Sequence, residues 1–218
     1  MRSNFQDIYL INLSSSNLGK ITSNLKINFN NSNIKHLNLN SLEGNNISDN
    51  SLVIIPGVGS FEKTSQLLEN NFTPLKVILE NQKIFKICIC LGFQILFTSS
   101  NEGITRSKGI NLYGGEVINF KETDSEYLVN TGYSKVYDEE NKEISNKKNF
   151  FFNHKYFVDL NSLKKKNWIK YYYSYNGNAK FLSMIYDSSF NIFGMQFHPE
   201  MSGKYTFNEL LNHQGINK

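Results

Sequence analysis

Short apolar runs alternate with helix-like patterns through the first half of the chain: Ile8-Tyr9-Leu10-Ile11, Leu18 to Phe29, Ile34 to Leu39, Leu52-Val53-Ile54-Ile55, Phe61 to Asn70 and Ile84 to Ile89. Such alternation predicts an α/β domain in which crossover helices join the strands of a parallel sheet. The run Leu52 to Ile55 is wholly apolar and the run Ile84 to Ile89 nearly so, as strands covered on both faces should be. From about Tyr113 to Phe197 the pattern changes to aromatic, period-2 segments such as Phe150-Phe151-Phe152 and Trp168 to Tyr173, parted by Asn, Lys and Gly. This half is expected to form mixed or antiparallel strands. No internal repeat is visible, and the asparagine-rich stretches Asn45 to Asn50 and Asp138 to Asn149 are expected to be surface loops.

With 218 residues, 39% of them hydrophobic, the chain is long enough to bury a large core, and one domain spanning residues 1–218 is expected. The 23 Lys+Arg against 19 Asp+Glu leave a net charge of +4, too mild to argue for a nucleic-acid partner. The one dense basic run, Lys164 to Lys166 beside Trp168, reads as a solvated turn. No apolar stretch approaches the ~20 residues that span a bilayer. The N-terminal residues also lack a charged segment followed by an apolar one, so a soluble, cytoplasmic protein with no membrane contact is expected. The only cysteines, Cys88 and Cys90, lie two apart in an apolar strand-like run and are expected to face opposite ways, unpaired. The histidines are scattered, so neither a zinc site nor any other metal site is expected.

Chemistry is suggested at three places. The segment Ile87-Cys88-Ile89-Cys90-Leu91-Gly92-Phe93-Gln94 has the form of a buried strand, a sharp turn and a helix, with Cys90 at the turn. A nucleophile placed there projects from the carboxyl end of a sheet, and its neighbour's backbone N–H is free for an oxyanion. Gly92 lets strand and helix approach closely, and a helix N-terminus favours a thiolate. A structural role is the simpler account of Cys88. A thiol of ordinary pKa, about 8.5, is only a few per cent ionised at neutral pH and gains from a base that can later protonate the leaving amine. In Phe193-Gly194-Met195-Gln196-Phe197-His198-Pro199-Glu200 an apolar strand ends at His198, Pro199 stiffens the turn, and Glu200 follows to orient the imidazole. The third place is Ile54-Ile55-Pro56-Gly57-Val58-Gly59-Ser60-Phe61, again a strand, a turn and a helix. Its glycines permit backbone geometries that aim an N–H at a developing oxyanion, and order along a parallel sheet sets this turn beside that of Cys90.

Taken together and in this order, the three motifs resemble the class I (triad) glutamine amidotransferases, with the likeness running over roughly residues 8 to 212. Within that superfamily the chain is most similar to the glutaminase subunit of imidazole glycerol phosphate synthase. The stretches that carry this are Gly57-Val58-Gly59-Ser60-Phe61, Leu96-Phe97-Thr98-Ser99-Ser100-Asn101-Glu102-Gly103 and Phe152-Asn153-His154-Lys155-Tyr156. The resemblance implies a flavodoxin-like or Rossmann-like open sheet with helices on both faces and no cofactor. It implies a Cys90, His198 and Glu200 triad, substrate glutamine contacted by Gln94, Glu102, His154 and Tyr156, and an oxyanion site from Leu91 and the turn Gly57, Val58, Gly59. It also implies a heterodimer with a (β/α)8-barrel cyclase that receives ammonia from L-glutamine.

The chain departs from that family at Ile11-Asn12-Leu13-Ser14-Ser15-Ser16-Asn17-Leu18, where members carry Asp-Tyr-Gly-x-Gly-Asn-Leu. It also departs at Thr131-Gly132-Tyr133-Ser134 in place of Met-Gly-Trp-Asn and at His154-Lys155-Tyr156 in place of His-Ser-Tyr. By resemblance these lie on surfaces concerned with the partner. Two alternatives follow: a paralogue feeding ammonia to a sugar amidotransferase in surface-polysaccharide synthesis, and a catalytically silent binding subunit. A cysteine peptidase on this fold would have no use for Gln94 and Glu102.

Overall fold

The tetrad Leu52-Val53-Ile54-Ile55 is buried at every position, a condition met when a strand has neighbours on both edges and cover on both faces. In the computed structural model, which describes residues 5–13, 18–39, 42, 47–69, 72–145, 149–204 and 206–213, that cover is present. The first half runs β1 (Asp7–Asn12), α1 (Gly19–Asn28), β2 (Asn33–Asn38), β3 (Leu52–Ile55), α2 (Phe61–Leu68), α3 (Phe72–Glu80), β4 (Phe85–Ile89) and the short α4 (Leu91–Gln94). The second half adds β5 (Ser99–Ser100), β6 (Ser107–Lys108), β7 (Glu116–Asn119), β8 (Asn130–Ser134), β9 (Phe150–His154) and β10 (Tyr156–Val158). It ends with β11 (Ile169–Asn176), β12 (Ala179–Asp187), β13 (Ile192–Met195) and α5 (Thr206–His213).

Seven strands make the main sheet in the order β11-β12-β13-β4-β3-β1-β2. Strands β2, β1, β3, β4 and β13 are mutually parallel, and β12 and β11 extend the sheet antiparallel. The period-2 alternation sorts side chains by face. Tyr9, Ile11, Val53, Ile55 and Cys88 pack with α2 and α3 on one side, and Ile8, Leu10, Leu52, Ile54 and Ile87 pack with α1 and α5 on the other. Helices therefore cover both faces, and the fold is the open α/β sheet expected from the sequence. The polar look of β2 belongs to an edge strand. Lys35 pairs with Asp7 at 3.0 Å and lies over the Tyr9 ring, setting a charge along that edge.

The aromatic half does more than extend this sheet. Strands β10, β7, β5 and β6 form a second sheet, and β8 with β9 forms a separate hairpin. That hairpin reaches back to the main sheet, where the His198 N–H donates to the Phe151 carbonyl at 2.8 Å. Helix α3 was not anticipated from the sequence. Pro74 lies in its first turn, where the missing N–H breaks no helical bond, and only Leu75 and Leu79 of the helix are fully buried. The run Ile84 to Ile89 contains one buried cation, Lys86, whose Nζ donates to the Asn81 and Ile84 carbonyls at 2.6 and 3.0 Å, just past α3. Burial brings its ammonium down to about 8.

Of the two expected loops, residues 47–50 and 138–145 are described and largely exposed, while Asn45, Asn46 and residues 146–148 lie outside the described residues. Of the first departure from the family pattern, Ile11 to Leu18, residues 14–17 also lie outside them. Lys164 to Lys166 form an irregular surface segment between two turns, rather than the turn expected, with Lys165 over Tyr171 and Tyr173 and Lys166 over Trp168. No helix among the described residues is long and apolar enough to cross a membrane.

Candidate active site

Three neighbouring parallel strands, β3, β4 and β13, end at the same edge of the sheet, and each of the three motifs begins where one of them stops. This edge is where open parallel α/β sheets carry their ligands. The turn after β3 carries Gly57, the turn after β4 carries Cys90, and the turn after β13 carries His198 and Glu200.

Cys90 has φ 51° and ψ −110°, a conformation rare for a residue with a side chain and one that stores strain. Its N–H donates to the Met195 carbonyl at 2.7 Å, so β13 pins the backbone that aims the sulfur. The close approach asked of Gly92 is real: a Cβ there would lie 2.0 Å from the Ile55 carbonyl oxygen. Helix α4 is a single turn, so its dipole is small and the local N–H groups matter more than the macrodipole.

The two cysteines do face different layers, Cys88 with the α2 side and Cys90 with the α1 side, and both are free. The reason differs from the sequence argument. Residues two apart in a strand share a face, and Cys90 escapes that rule because its positive φ lies beyond the end of β4. Burial pushes the Cys88 thiol up to about 12, leaving it inert at neutral pH.

His198 Nδ1 lies 2.9 Å from Glu200 Oε1, and both side chains are about nine-tenths buried. Burial alone pulls the imidazole down. The charge and hydrogen bond of Cys90, followed by the bond and charge of Glu200, outweigh it and bring His198 up to about 10. The ring therefore sits between sulfur and carboxylate as the charged partner of an ion pair.

His154, expected to touch substrate, is also buried, yet both ring nitrogens are engaged within the protein. Nδ1 donates to the Tyr156 carbonyl at 2.9 Å, which leaves Nε2 to accept from Asn130 Nδ2 at 3.0 Å. The rings of Phe120, Phe152 and Phe181 surround it at 5.2 to 5.8 Å between centroids. Burial in this aromatic shell, partly opposed by the Tyr156 bond and reinforced by the charge of His198, holds its imidazole down to about 3. His154 is thus a neutral buttress of fixed tautomer. Tyr156 contributes its main-chain carbonyl, which also accepts from Gln94 Nε2 at 2.8 Å, while its ring packs half-buried against the core.

The N–H expected to serve an oxyanion is engaged from within. The Leu91 N–H expected to receive an oxyanion donates instead to the Gly57 carbonyl at 3.3 Å. Because the peptide is planar and trans, the N–H of Val58 in that same unit points the opposite way. A Cβ on Gly57 would lie 2.5 Å from the Gly92 nitrogen, and Gly59 has φ 128°, so both positions require glycine. Val58 itself is half-exposed.

Glu102 is held at the far side of this turn, where its Oε2 accepts from the Phe61 N–H at 2.8 Å and caps α2 together with Ser60. The structure thus gathers Cys90, Leu91, Gly57, Gln94, His154, Tyr156, His198 and Glu200, and keeps Glu102 one turn away. Two residues were missed by sequence reasoning. Asn130 gave no signal, whereas Gln196, a polar residue closing the apolar run Ile192 to Met195, was a visible exception.

A strained cysteine turn, an imidazole paired with a carboxylate and an adjacent glycine turn make an arrangement suited to acyl transfer through a cysteine. The glutamine amidotransferase class-I family matches residues 5–217, and the chain belongs to it; it is an enzyme of that class. It is 32% identical over 169 residues to the imidazole glycerol phosphate synthase subunit hisH of Cyanidium caldarium, covering 71% of this chain and 75% of that protein. It is 35% identical over 166 residues to the HisH subunit of Methanocaldococcus jannaschii, covering 70% and 74%. PurLQS from Thermotoga maritima shares the fold with a TM-score of 0.66 over 96% of this chain and 99% of that one, at 18% identity.

Proposed function

We propose that this chain is the glutaminase subunit of a two-subunit synthase, hydrolysing L-glutamine at Cys90 and passing the ammonia to a (β/α)8-barrel cyclase that makes imidazole glycerol phosphate in histidine biosynthesis. The observation that carries the chemistry is Cys90 at φ 51° beside an imidazole whose far nitrogen meets Glu200 at 2.9 Å. The pathway is supported by the relatives named as imidazole glycerol phosphate synthase subunits. In the reaction, the Cys90 sulfur attacks the carboxamide carbon, and His198 gives its proton to the departing nitrogen as the C–N bond breaks, releasing ammonia and leaving a γ-glutamyl thioester. Water, deprotonated by His198, then attacks the thioester; glutamate leaves and the thiol is restored. Glu200 keeps the imidazole aimed through both steps.

Only one state of the Gly57–Val58 peptide serves this chemistry. With the Gly57 carbonyl on the Leu91 N–H, neither donor faces the developing oxyanion, and the isolated chain is a nearly silent glutaminase. Turning that peptide frees the Leu91 N–H and brings in that of Val58. Loss of one oxyanion donor typically costs ~10²–10³ in rate, so a partner that turns the peptide switches the enzyme on. The test compares ammonia release from glutamine by the free chain, by the complex with the barrel cyclase, and by the complex with the cyclase's own substrate. A steep rise along that series is expected, together with loss of the rise in a folded, partner-binding Gly57→Ala variant. Equal rapid hydrolysis in all three wild-type samples refutes the switch, and no glutamine hydrolysis in any refutes the glutaminase.

A further inference from the structure

We infer that Gln196 is a positioning residue for the nucleophile, holding the Cys90 sulfur with its side-chain amide and tying that sulfur through Gln94 to the Tyr156 carbonyl. The inference rests on Cys90 being the nucleophile. Gln196 follows β13 directly, has no exposed surface, and is anchored by its N–H donating to the Ser183 carbonyl at 2.8 Å. Ser183 is the extra residue where the β11–β12 register shifts, since Tyr172 pairs with Met184 and Tyr173 with Leu182. A fully buried amide side chain is costly unless its polar atoms are met, so its bonds show what it is for.

Those bonds leave one orientation. The Tyr156 oxygen is a main-chain carbonyl and only accepts, so the Gln94 group 2.8 Å away is its NH2. The second proton of that NH2 faces Gln196 at 3.0 Å, which must present Oε1 to receive it. Gln196 Nε2 is thereby turned toward Cys90 Sγ at 3.6 Å, and it arrives as a donor. A fixed N–H aimed at sulfur holds the Sγ rotamer at a strained turn and meets the charge that an attacking sulfur carries. The charge of His198 acts on the same sulfur, so the nucleophile is held between an imidazole and an amide. The amide's aim depends on Gln94: a Gln94 that no longer donates leaves Gln196 able to flip its oxygen toward the sulfur.

The role is read without glutamine. Cys90 of the free chain is alkylated with iodoacetamide at neutral pH, the label being located by mass spectrometry. Gln196→Met keeps the volume and removes the donor. About tenfold slower alkylation is expected from losing one hydrogen bond to a charged group. The isosteric Gln196→Glu, a second route should the Met variant fail to fold, places lone pairs against sulfur and slows alkylation further. Gln94→Met slows it less, and adds nothing in the Gln196→Met background, because both act through one amide. A donor role also predicts that the Gln196→Met deficit disappears at alkaline pH, whereas a merely distorted or blocked thiol stays slow throughout. Wild-type alkylation rates in the folded Gln196 variants, or a deficit that persists at high pH, would overturn the assignment. A wild-type chain that alkylates as expected while its complex releases no ammonia would refute the glutaminase and leave the role of Gln196 standing.

Discussion

His198 and His154 are buried to nearly the same degree, 7% and 6% exposed, and their charges are driven in opposite directions. His198, beyond the end of β13, meets a sulfur and a carboxylate and is raised to about 10. His154, at the end of β9, meets a carbonyl, an amide and three phenyl rings and is lowered to about 3. Burial disfavours the charged imidazole in both places, so the partners decide the outcome. The parallel half of the molecule supplies charge, from Cys90 at the end of β4 and Glu200 past β13. The aromatic half supplies neutral walls that fix a tautomer and exclude water. One imidazole is equipped to move protons, and the other keeps its proton in place.

The largest effect is expected where that difference originates. Cys90→Ala should abolish glutamine-dependent ammonia release while the complex still uses added ammonia, and Cys88→Ala, on the other face of the sheet, should leave glutaminase activity in place. Parallel assays with glutamine and with ammonium salts check both, and activity surviving in Cys90→Ala would reassign the nucleophile. Next, His198→Asn in the stimulated complex should lower turnover by roughly 10²–10⁴-fold with native folding, the usual worth of general acid–base catalysis. A near-normal rate would mean the two histidines differ in charge without differing in role.

The neutral side of the comparison is tested by Asn130→Ala, which takes the donor from His154 Nε2. A fall in kcat/KM of somewhat under tenfold is expected, since one buried hydrogen bond contributes about 1 kcal/mol. A loss as large as that of His198→Asn would place His154 in the chemistry. The smallest effect is in stability against pH. Folded His154 refuses a proton down to about 3, whereas its unfolded form takes one near 6.5, so stability falls as pH drops through that window. His198 has the reverse sign: folded, it keeps its proton up to about 10, so its stabilisation is complete below about 6.5 and is lost as pH rises toward 10. Thermal midpoints across pH should therefore slope less on the acid side in His154→Asn and less on the alkaline side in Cys90→Ala. Unchanged slopes would show that the charges assigned to the two rings are wrong.

The parallel core was legible because its signals are local. Leu52 to Ile55 and Ile84 to Ile89 announce buried strands, and the turns holding Gly57, Cys90 and His198 each follow an apolar run. Helix α3 was masked by Pro74 near its start, although Phe72, Leu75, Ile78 and Leu79 recur at helical spacing. The second half was legible only as aromatic strand, since period-2 patterns give strands but not partners. Nothing in Phe150-Phe151-Phe152-Asn153-His154 says that this strand forms a hairpin apart from the main sheet and closes over His198.

The sequence by itself determined which residues are candidates for the chemistry and which edge of the sheet they occupy, because a cysteine turn, a His-Pro-Glu turn and a glycine turn depend on neighbours in the chain. Only the tertiary structure decided the state of those residues. That His154 is neutral, that Gln196 turns its amide to the sulfur, and that Gly57 covers the Leu91 N–H all depend on atoms 24 to 106 positions apart in the chain. Hydrogen bonds and charge pairs act over a few ångströms in space, a proximity that folding creates and spacing along the chain does not record.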